Sequence, residues 1–142
     1  MDRAQEKLDS LLALWNEKRG KRAMPSRSDL AVSALKPWLG HLAILDLNNG
    51  KGATFRLCGT NLRDRFGGEM TGRQVEALED GIAGQLRHAI KSFSEACEPI
   101  RTKHRDKIKE IPTIYHELCL PLADNGRQID CILFASYAEQ RK

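Results

Sequence analysis

The sequence of 142 residues lacks the features that mark secreted and membrane proteins. It has no apolar run long enough to span a membrane, and its first residues, MDRAQEKLDS, contain no apolar signal-peptide core. Its four cysteines, Cys58, Cys97, Cys119 and Cys131, include no C-x-x-C pair. This favours free, buried thiols over zinc or redox chemistry. We therefore expect a cytoplasmic chain without membrane insertion and without a disulfide framework.

Catalytic and metal-binding motifs are also missing. There is no Gly-x-Ser-x-Gly nucleophile elbow, and carboxylates such as Asp46, Glu69 and Asp130 are scattered along the chain. The four histidines have no Cys–His or His–His spacing typical of a metal site. We expect neither catalytic residues nor a metal. An enzyme site assembled in space, in a cleft between helix and sheet, remains an alternative.

The glycine-rich stretch FRLCGTNLRDRFGGEMTGR does not match a phosphate-binding loop. A P-loop needs Gly-x-x-x-x-Gly-Lys-Ser/Thr between strand and helix, and Gly59 is followed by neither the second glycine nor the lysine. Gly67 and Gly68 end a short helix instead of opening one, which also excludes the dinucleotide fingerprint. We interpret the stretch as a strand-to-helix corner in which Thr60 caps the helix and Gly67 or Gly68 ends it.

The composition, with 41% hydrophobic and 30% charged residues, is that of one globular domain. Residues 1–37 form a predicted N-terminal helical extension, whose first helix carries an apolar stripe that includes Leu8, Leu11, Leu12 and Trp15. Residues 38–142 form the predicted core of the same domain. The core pattern indicates strands at His41–Asn48 and Ala53–Cys58, joined by an Asn49-Gly50 turn, and a long helix from Val75 to Ala96.

Three more strands follow the long helix in this interpretation. The basic run Arg101–Lys109 is expected to be a strand with a loop, and Pro112–Leu122 and Gln128–Tyr137 are expected to pair as a hairpin. A two-residue Asn125-Gly126 turn would set Leu118 opposite Leu133. Both faces of this hairpin are apolar, so both need a cover.

The order of these elements resembles the PAS domain family, and in particular a bacterial subfamily with an N-terminal helical lead-in. The matching pieces run in order along the chain: Trp15 with Arg19-Gly20, MPSRSD (Met24–Asp29), LKPWLGHLAILD (Leu35–Asp46), FRLCGT (Phe55–Thr60), FGGEMTGR (Phe66–Arg73) and LPL (Leu120–Leu122). The resemblance implies an α+β fold, a five-stranded antiparallel sheet with helices over one face and an N-terminal helical extension. It also implies a sensory or docking module without catalysis.

The resemblance further implies a small ligand, a protein partner, or both, while the cofactor stays unknown. With no output domain in these residues, we expect the signal to leave through a separate signalling protein or through a homodimer. The basic run Arg101–Glu110 raises a nucleic-acid-binding regulator as the alternative. It has no interleaved aromatic residues, so a solvated strand edge is the favoured interpretation.

Two sites are expected on these grounds. The ligand site is predicted between the long helix and one sheet face, with a wall made of Leu45, Leu57, Leu62, Phe66, Leu86, Ile90, His116, Leu118 and Leu133. The N-terminal stripe, Leu8, Leu11, Leu12 and Trp15, is predicted to form the interface with a second copy, and the alternative is that it covers the other sheet face, over Tyr115, Ile132 and Phe134.

Overall fold

Five antiparallel strands form one sheet in the order β2-β1-β5-β4-β3. The computed structural model describes residues 3–48, 52–78, 82–108 and 110–139, so the expected Asn49-Gly50 turn lies outside the described residues. The strands are β1 (Leu42–Leu47), β2 (Ala53–Cys58), β3 (Ile100–Ile108), β4 (Ile111–Leu122) and β5 (Cys131–Ala138). β3 covers the basic run from Arg101 to Ile108, which confirms the strand predicted there, and Lys109 lies outside the described residues.

The described residues form three α-helices: α1 (Arg3–Arg19), α2 (Arg63–Phe66) and α3 (Ile82–Glu95). Short 3₁₀ helices lie at Ser28–Leu30, Val32–His41, Thr60–Leu62 and Val75–Ala77. The long helix predicted from Val75 is therefore wrong at its start, because Leu78 after the 3₁₀ turn is extended. The predicted α+β fold with an N-terminal helical extension is confirmed.

Each face of the sheet has its own apolar cluster. On the α3 face, Leu45, Phe55 and Phe134 pack against Leu86 and Phe93 of α3. The opposite face, called the α1 face below, is covered by the N-terminal helices. Its larger buried members are Leu8, Leu11, Trp15, Met24, Leu35, Ile44, Leu118, Leu120, Leu122 and Leu133. The sheet is thus a wall between two separately packed cores.

The stripe of α1 packs on the sheet of its own chain. Leu8 and Leu11 are fully buried, Trp15 is 3% exposed, and Leu12 packs against the same cluster while partly exposed. The Trp15 indole Nε1 donates a hydrogen bond to the Pro121 carbonyl of β4 at 2.9 Å. Of the two expected arrangements the structure has the packed one, so this stripe is not free to form a dimer interface.

The stripe does not, however, cover the residues that we expected beneath it. Ile132 and Phe134 belong to the α3 face, and Tyr115 lies under Arg65 of α2. The sequence correctly predicts which residues of β4 and β5 share a face, but it predicts the wrong helix over each face. Alternation along a strand separates two faces without saying which helix lies over which, and here both faces are apolar.

The β4–β5 register differs from the predicted one by two residues. Leu118 lies opposite Ala135, and Leu120 lies opposite Leu133. The connection is longer than a two-residue turn because the Asn125 side-chain oxygen accepts hydrogen bonds from the backbone N–H groups of Arg127 and Gln128. A shift of two preserves the side-chain faces, which is why the face assignment survives.

The strand-to-helix corner is set by close backbone contact. A Cβ at Gly59 would overlap the Gly40 carbonyl oxygen, so no larger residue fits there without backbone movement. Gly67 ends α2 with φ of 85°, as expected. The expected Thr60 cap is wrong: Gly59 occupies the N-cap position of the Thr60–Leu62 turn, which has no side-chain cap.

Candidate ligand cleft

A cleft of about 340 Å³ lies between α3 and the outer half of the sheet. It is lined by Gly84, Gln85, His88 and Ala89 of α3, Ile100, Thr102 and His104 of β3, Cys119 of β4 and Phe134 of β5. Both the helix and the edge strand β3 border the cleft, and Gly84 has no side chain to fill the gap between them. This volume is at the lower end of the range usual for small-molecule sites.

The floor of the cleft is apolar and its mouth is polar. Ala89, Cys119 and Phe134 are buried at the floor. His88 and Thr102 are exposed at the mouth. This arrangement can bind the apolar side of a compact molecule while the mouth offers hydrogen bonds to its other side.

A buried ion pair lies beyond one end of the cleft. The side chains of Arg65 in α2 and Glu117 in β4 are 3% and 1% exposed, and Arg65 Nε lies 3.3 Å from Glu117 Oε2. Ser136 Oγ donates to the same carboxylate oxygen at 2.7 Å. Arg65 also pairs with Asp106 of β3 at 2.6 Å, and its guanidinium stacks over the Tyr115 ring. Arg65 thus ties α2 to β3 and β4, and Ser136 links the same Glu117 carboxylate to β5.

Gln85 connects this ion pair to the cleft. With the amide oriented so that both of its atoms are satisfied, its nitrogen donates to Glu117 Oε1 at 2.6 Å and its oxygen accepts from His104 Nε2 at 2.6 Å. Gln85 and His104 both line the cleft. A ligand that hydrogen-bonds to either side chain therefore competes with an existing bond of the network.

The thiol of Cys119, on the floor of the cleft, is unreactive at neutral pH. Burial, with a smaller contribution from the Glu117 carboxylate, raises the pKa of Cys119 to about 12. The group is therefore a thiol at neutral pH, and thiols are poor nucleophiles and poor metal ligands. In the described part of the chain, no group of three or more His, Cys, Asp or Glu side chains is placed to hold a metal ion.

The predicted ligand wall is divided between the two sheet faces. Leu45, Leu62, Phe66, Leu86 and Ile90 do meet on the α3 face. Three others, Leu57, Leu118 and Leu133, lie on the α1 face. His116 is on the same side of β4 as Leu118 by alternation, and its Nε2 pairs with Glu139 at 3.0 Å. The expectation that all nine share one wall is wrong for two reasons. The covers of β4 and β5 are exchanged, and an irregularity in the β1–β2 pairing sets Leu57 opposite Ile44 on the α1 face.

None of those nine residues lines the cleft itself. Leu86 and Ile90 belong to the packed core of the α3 face, whereas the cleft lies under the neighbouring stripe of α3, Gln85, His88 and Ala89. These three follow i, i+3, i+4 spacing next to the apolar stripe, with Gly84 beside them. A glycine and two polar residues beside the core stripe are the sequence feature that could have indicated a gap.

The basic run lines the outer edge of the sheet. Arg101, Lys103, Arg105 and Lys107 are exposed on β3. Arg101 is engaged by Asp9 of α1. This is the position in which lysine and arginine protect a sheet edge from unwanted pairing. Within the described ranges, no helix is both long enough and apolar enough to cross a bilayer.

A protein-family model described as PAS domain matches residues 3–133. Curated protein sequences give no significant match. Among solved structures, the PAS domain of BvgS from Bordetella pertussis superposes with a TM-score of 0.60 at 12% identity, over 82% of this chain and 88% of that one.

Two light-oxygen-voltage structures are also similar. One, studied with a flavin analogue, has a TM-score of 0.55 at 13% identity, covering 78% of this chain and 84% of that one. The Rhodobacter sphaeroides light-oxygen-voltage protein has a TM-score of 0.51 at 13% identity, covering 96% of this chain and 69% of that one. At these identities the likeness is one of fold.

Proposed function

The chain belongs to the PAS domain family, and from this premise we propose that it is a sensory module that binds a small ligand between α3 and the sheet, without catalysis. The observation that carries the proposal is the cleft of about 340 Å³ with an apolar floor and a polar mouth. Small-molecule sites usually form in clefts of this kind, with an apolar lining and a few polar groups.

The lining favours a compact, uncharged molecule with one apolar side and a hydrogen-bonding edge. Phe134 and Ala89 offer a flat apolar contact, while Gln85 and His104 offer both donors and acceptors. The ionised groups nearby, Arg65 and Glu117, are already paired with each other. A charged ligand would have to displace that pairing.

The signal is proposed to leave through the network beyond the cleft and then through a separate protein. A ligand that takes Gln85 as its partner removes a hydrogen bond from Glu117 and so changes the setting of Arg65 and α2. Because the α1 stripe is buried within its own chain, a homodimer, if formed, would use other surfaces. All four cysteines are free thiols, which is compatible with the reducing cytoplasm that we propose.

The test compares two substitutions at one position. A Cβ on Gly84 would meet only the flexible end of Arg87, at 3.9 Å, so Gly84→Ala is expected to leave the cleft open. Gly84→Phe places a ring at the cleft mouth. Native mass spectrometry of freshly purified wild type and Gly84→Ala is expected to show a retained small molecule, and Gly84→Phe is expected to show none. Identical spectra for all three proteins would contradict the proposed site.

A further inference from the structure

The outer edge of β3 is a surface that the proposed function does not use. β3 is the last strand of the sheet, and among the described strands it pairs with β4 alone. Four exposed residues of this strand carry positive side chains and are called the cationic row below: Arg101, Lys103, Arg105 and Lys107. The chemistry of this edge does not depend on a ligand in the cleft.

The cationic row lies on the α1 face of the strand. Thr102 and His104, which alternate with it, line the cleft on the α3 face. At one end of the row, Arg101 pairs with Asp9 of α1, so this cation is already balanced. The side chains of the other three members form no ion pair or hydrogen bond with any described residue. The row therefore presents unbalanced positive charge from Lys103 onward.

The same residues direct their backbone N–H and C=O groups toward the free edge. In an antiparallel pair of strands, hydrogen-bonded and non-hydrogen-bonded residue pairs alternate. Lys107 lies opposite Pro112, which has no N–H, so these two residues cannot exchange the two bonds of a hydrogen-bonded pair. Arg105 lies opposite Ile114, whose carbonyl oxygen accepts from the Glu139 N–H at 2.7 Å, just after β5. Because the register is unbroken, the whole cationic row belongs to the non-hydrogen-bonded set.

The edge can therefore accept one more strand. The N–H of Lys107 donates to the Asp106 carboxylate at 2.8 Å, whereas the outward backbone groups of Lys103 and Arg105 have no partner in the described part of the chain. An extended segment that pairs here exchanges backbone hydrogen bonds with the cationic row. Each residue of that segment opposite a cation then places its side chain on the same face as the cation.

A second copy of this chain is a poor occupant of the edge. Two copies related by a two-fold axis perpendicular to the sheet would pair β3 with β3 and keep both cationic rows on one face. Directly opposite residues share a face, so every register of such a dimer sets cation against cation, which is destabilising. The register centred on His104, for example, sets Arg101 against Lys107 and Lys103 against Arg105.

We propose that the β3 edge is a docking site for an extended acidic segment of a partner protein, which joins the sheet as a sixth strand. Asp or Glu at every second position of the segment lies opposite the cationic row. The alternate side chains of the segment lie beside Thr102 and His104. Backbone hydrogen bonds supply the affinity, while the charge pattern selects an acidic partner and rejects self-pairing.

The test titrates three end-capped peptides calorimetrically into the full chain. The probe is Thr-Glu-Val-Glu-Thr-Glu-Val, and the first control has the same composition with its glutamates contiguous. The probe is expected to bind about tenfold more tightly than this control, because only alternating glutamates all face the cationic row. The second control is the probe methylated on its glutamate backbone nitrogens. It keeps the charge but loses the N–H groups that face β3, so it is expected not to bind.

Three results would overturn the proposal. One is no binding of the probe at millimolar concentration, and another is equal binding of the probe and either control peptide. The third is an oligothymidylate that binds more tightly than the probe, because nucleic acid cannot form strand hydrogen bonds and the edge would then attract polyanions in general.

Substitutions of Arg105 separate charge from backbone pairing. Arg105→Thr removes one cation and is expected to weaken probe binding about threefold. Arg105→Pro also removes the outward N–H, which an edge strand tolerates, and is expected to abolish binding. Lys21→Thr removes the same charge beyond the C-terminal end of α1 and is expected to leave binding unchanged. Equal probe affinity of Arg105→Pro and Lys21→Thr, both folded by melting temperature, would contradict docking at this edge.

Amide hydrogen exchange in the wild-type chain tests the same geometry without a substitution. The N–H groups of Lys103 and Arg105 are expected to exchange rapidly in the free protein and to become protected when the probe binds. Those of Thr102 and His104, which face β4, are expected to be protected in both states. Unchanged exchange at Lys103 and Arg105 in the presence of saturating probe would show that the peptide does not pair with β3.

Discussion

Removing Glu117 should be among the most damaging single changes in this protein. Glu117→Leu deletes a carboxylate that is 1% exposed and that accepts from Arg65 and from Ser136. Arg65 keeps Asp106 as a partner, but the Asp106 side chain is 49% exposed, so that contact is screened by water. The guanidinium is left buried with no carboxylate on its inner side, where only the Gln85 amide oxygen remains, 3.3 Å from Nη2. We expect a loss of about 3–5 kcal/mol in the free energy of unfolding.

A variant with both residues replaced distinguishes the free-energy cost of leaving one buried charge unpaired from the net stability that the Arg65–Glu117 pair contributes. Arg65→Met alone is expected to be damaging, since it leaves the Glu117 carboxylate buried. Arg65→Met combined with Glu117→Leu removes both charges and is expected to recover at least half of the loss of the worse single variant. The Arg65–Glu117 distances of 3.3 and 3.4 Å are long for a charge-assisted contact, so the pair itself contributes little net stability.

Urea unfolding followed by circular dichroism measures all four proteins of this cycle. A cost below about 1 kcal/mol for Glu117→Leu would show that water reaches the guanidinium. A double variant whose cost equals the sum of the two single costs would refute the reasoning, because it would mean that the residues do not interact.

Three further outcomes are expected from the packing. Trp15→Ala is expected to lower the free energy of unfolding by about 3–5 kcal/mol, and Trp15→Phe, which removes mainly the indole hydrogen bond, by about 1–2 kcal/mol in the same urea titration. Gly59→Ala is expected to lower the free energy of unfolding by about 1–3 kcal/mol or more, because its Cβ meets the Gly40 carbonyl. Gly84→Ala is expected to be neutral or stabilising. Equal melting temperatures for these two variants would contradict the geometry of the corner at Gly59. Because burial lowers the pKa of His41 below its ordinary 6.5, the unfolded chain binds the extra proton first as the pH falls. Stability should therefore decrease from about pH 7.5 to pH 5.5, and His41→Gln should show a smaller decrease in melting temperature over that interval.

The fold could be predicted from the sequence because its elements carry strong local patterns. The strand Ala53–Cys58 has the predicted bounds, and β3 is a strand although its sequence is highly charged. A charged sequence is compatible with this strand because β3 lies at the edge of the sheet, where it pairs with β4 and otherwise borders solvent. An edge strand needs no apolar alternation on its outer side.

The site could be predicted only in part. Helical periodicity identifies the stripe of α3 that packs in the core, because apolar residues such as Leu86 and Phe93 recur at helical spacing and are the ones that are buried. A cavity is where side chains fail to meet, and this depends on the distance between α3 and β3, which no local pattern encodes. The exchange of the two covers has a similar origin: both faces of β4 and β5 are apolar, so either helix satisfies the pattern.

Because both tryptophans lie on the α1 face of the sheet, the intrinsic fluorescence of the protein reports on that face only. Trp15 and Trp38 both belong to the α1 face, and each indole N–H donates to a backbone carbonyl, of Pro121 and of Lys7 respectively. Neither indole lines the cleft under α3. Emission that shifts when that cleft is filled would therefore show that the disturbance has crossed the sheet, whereas an unchanged spectrum would mean that the two cores respond independently.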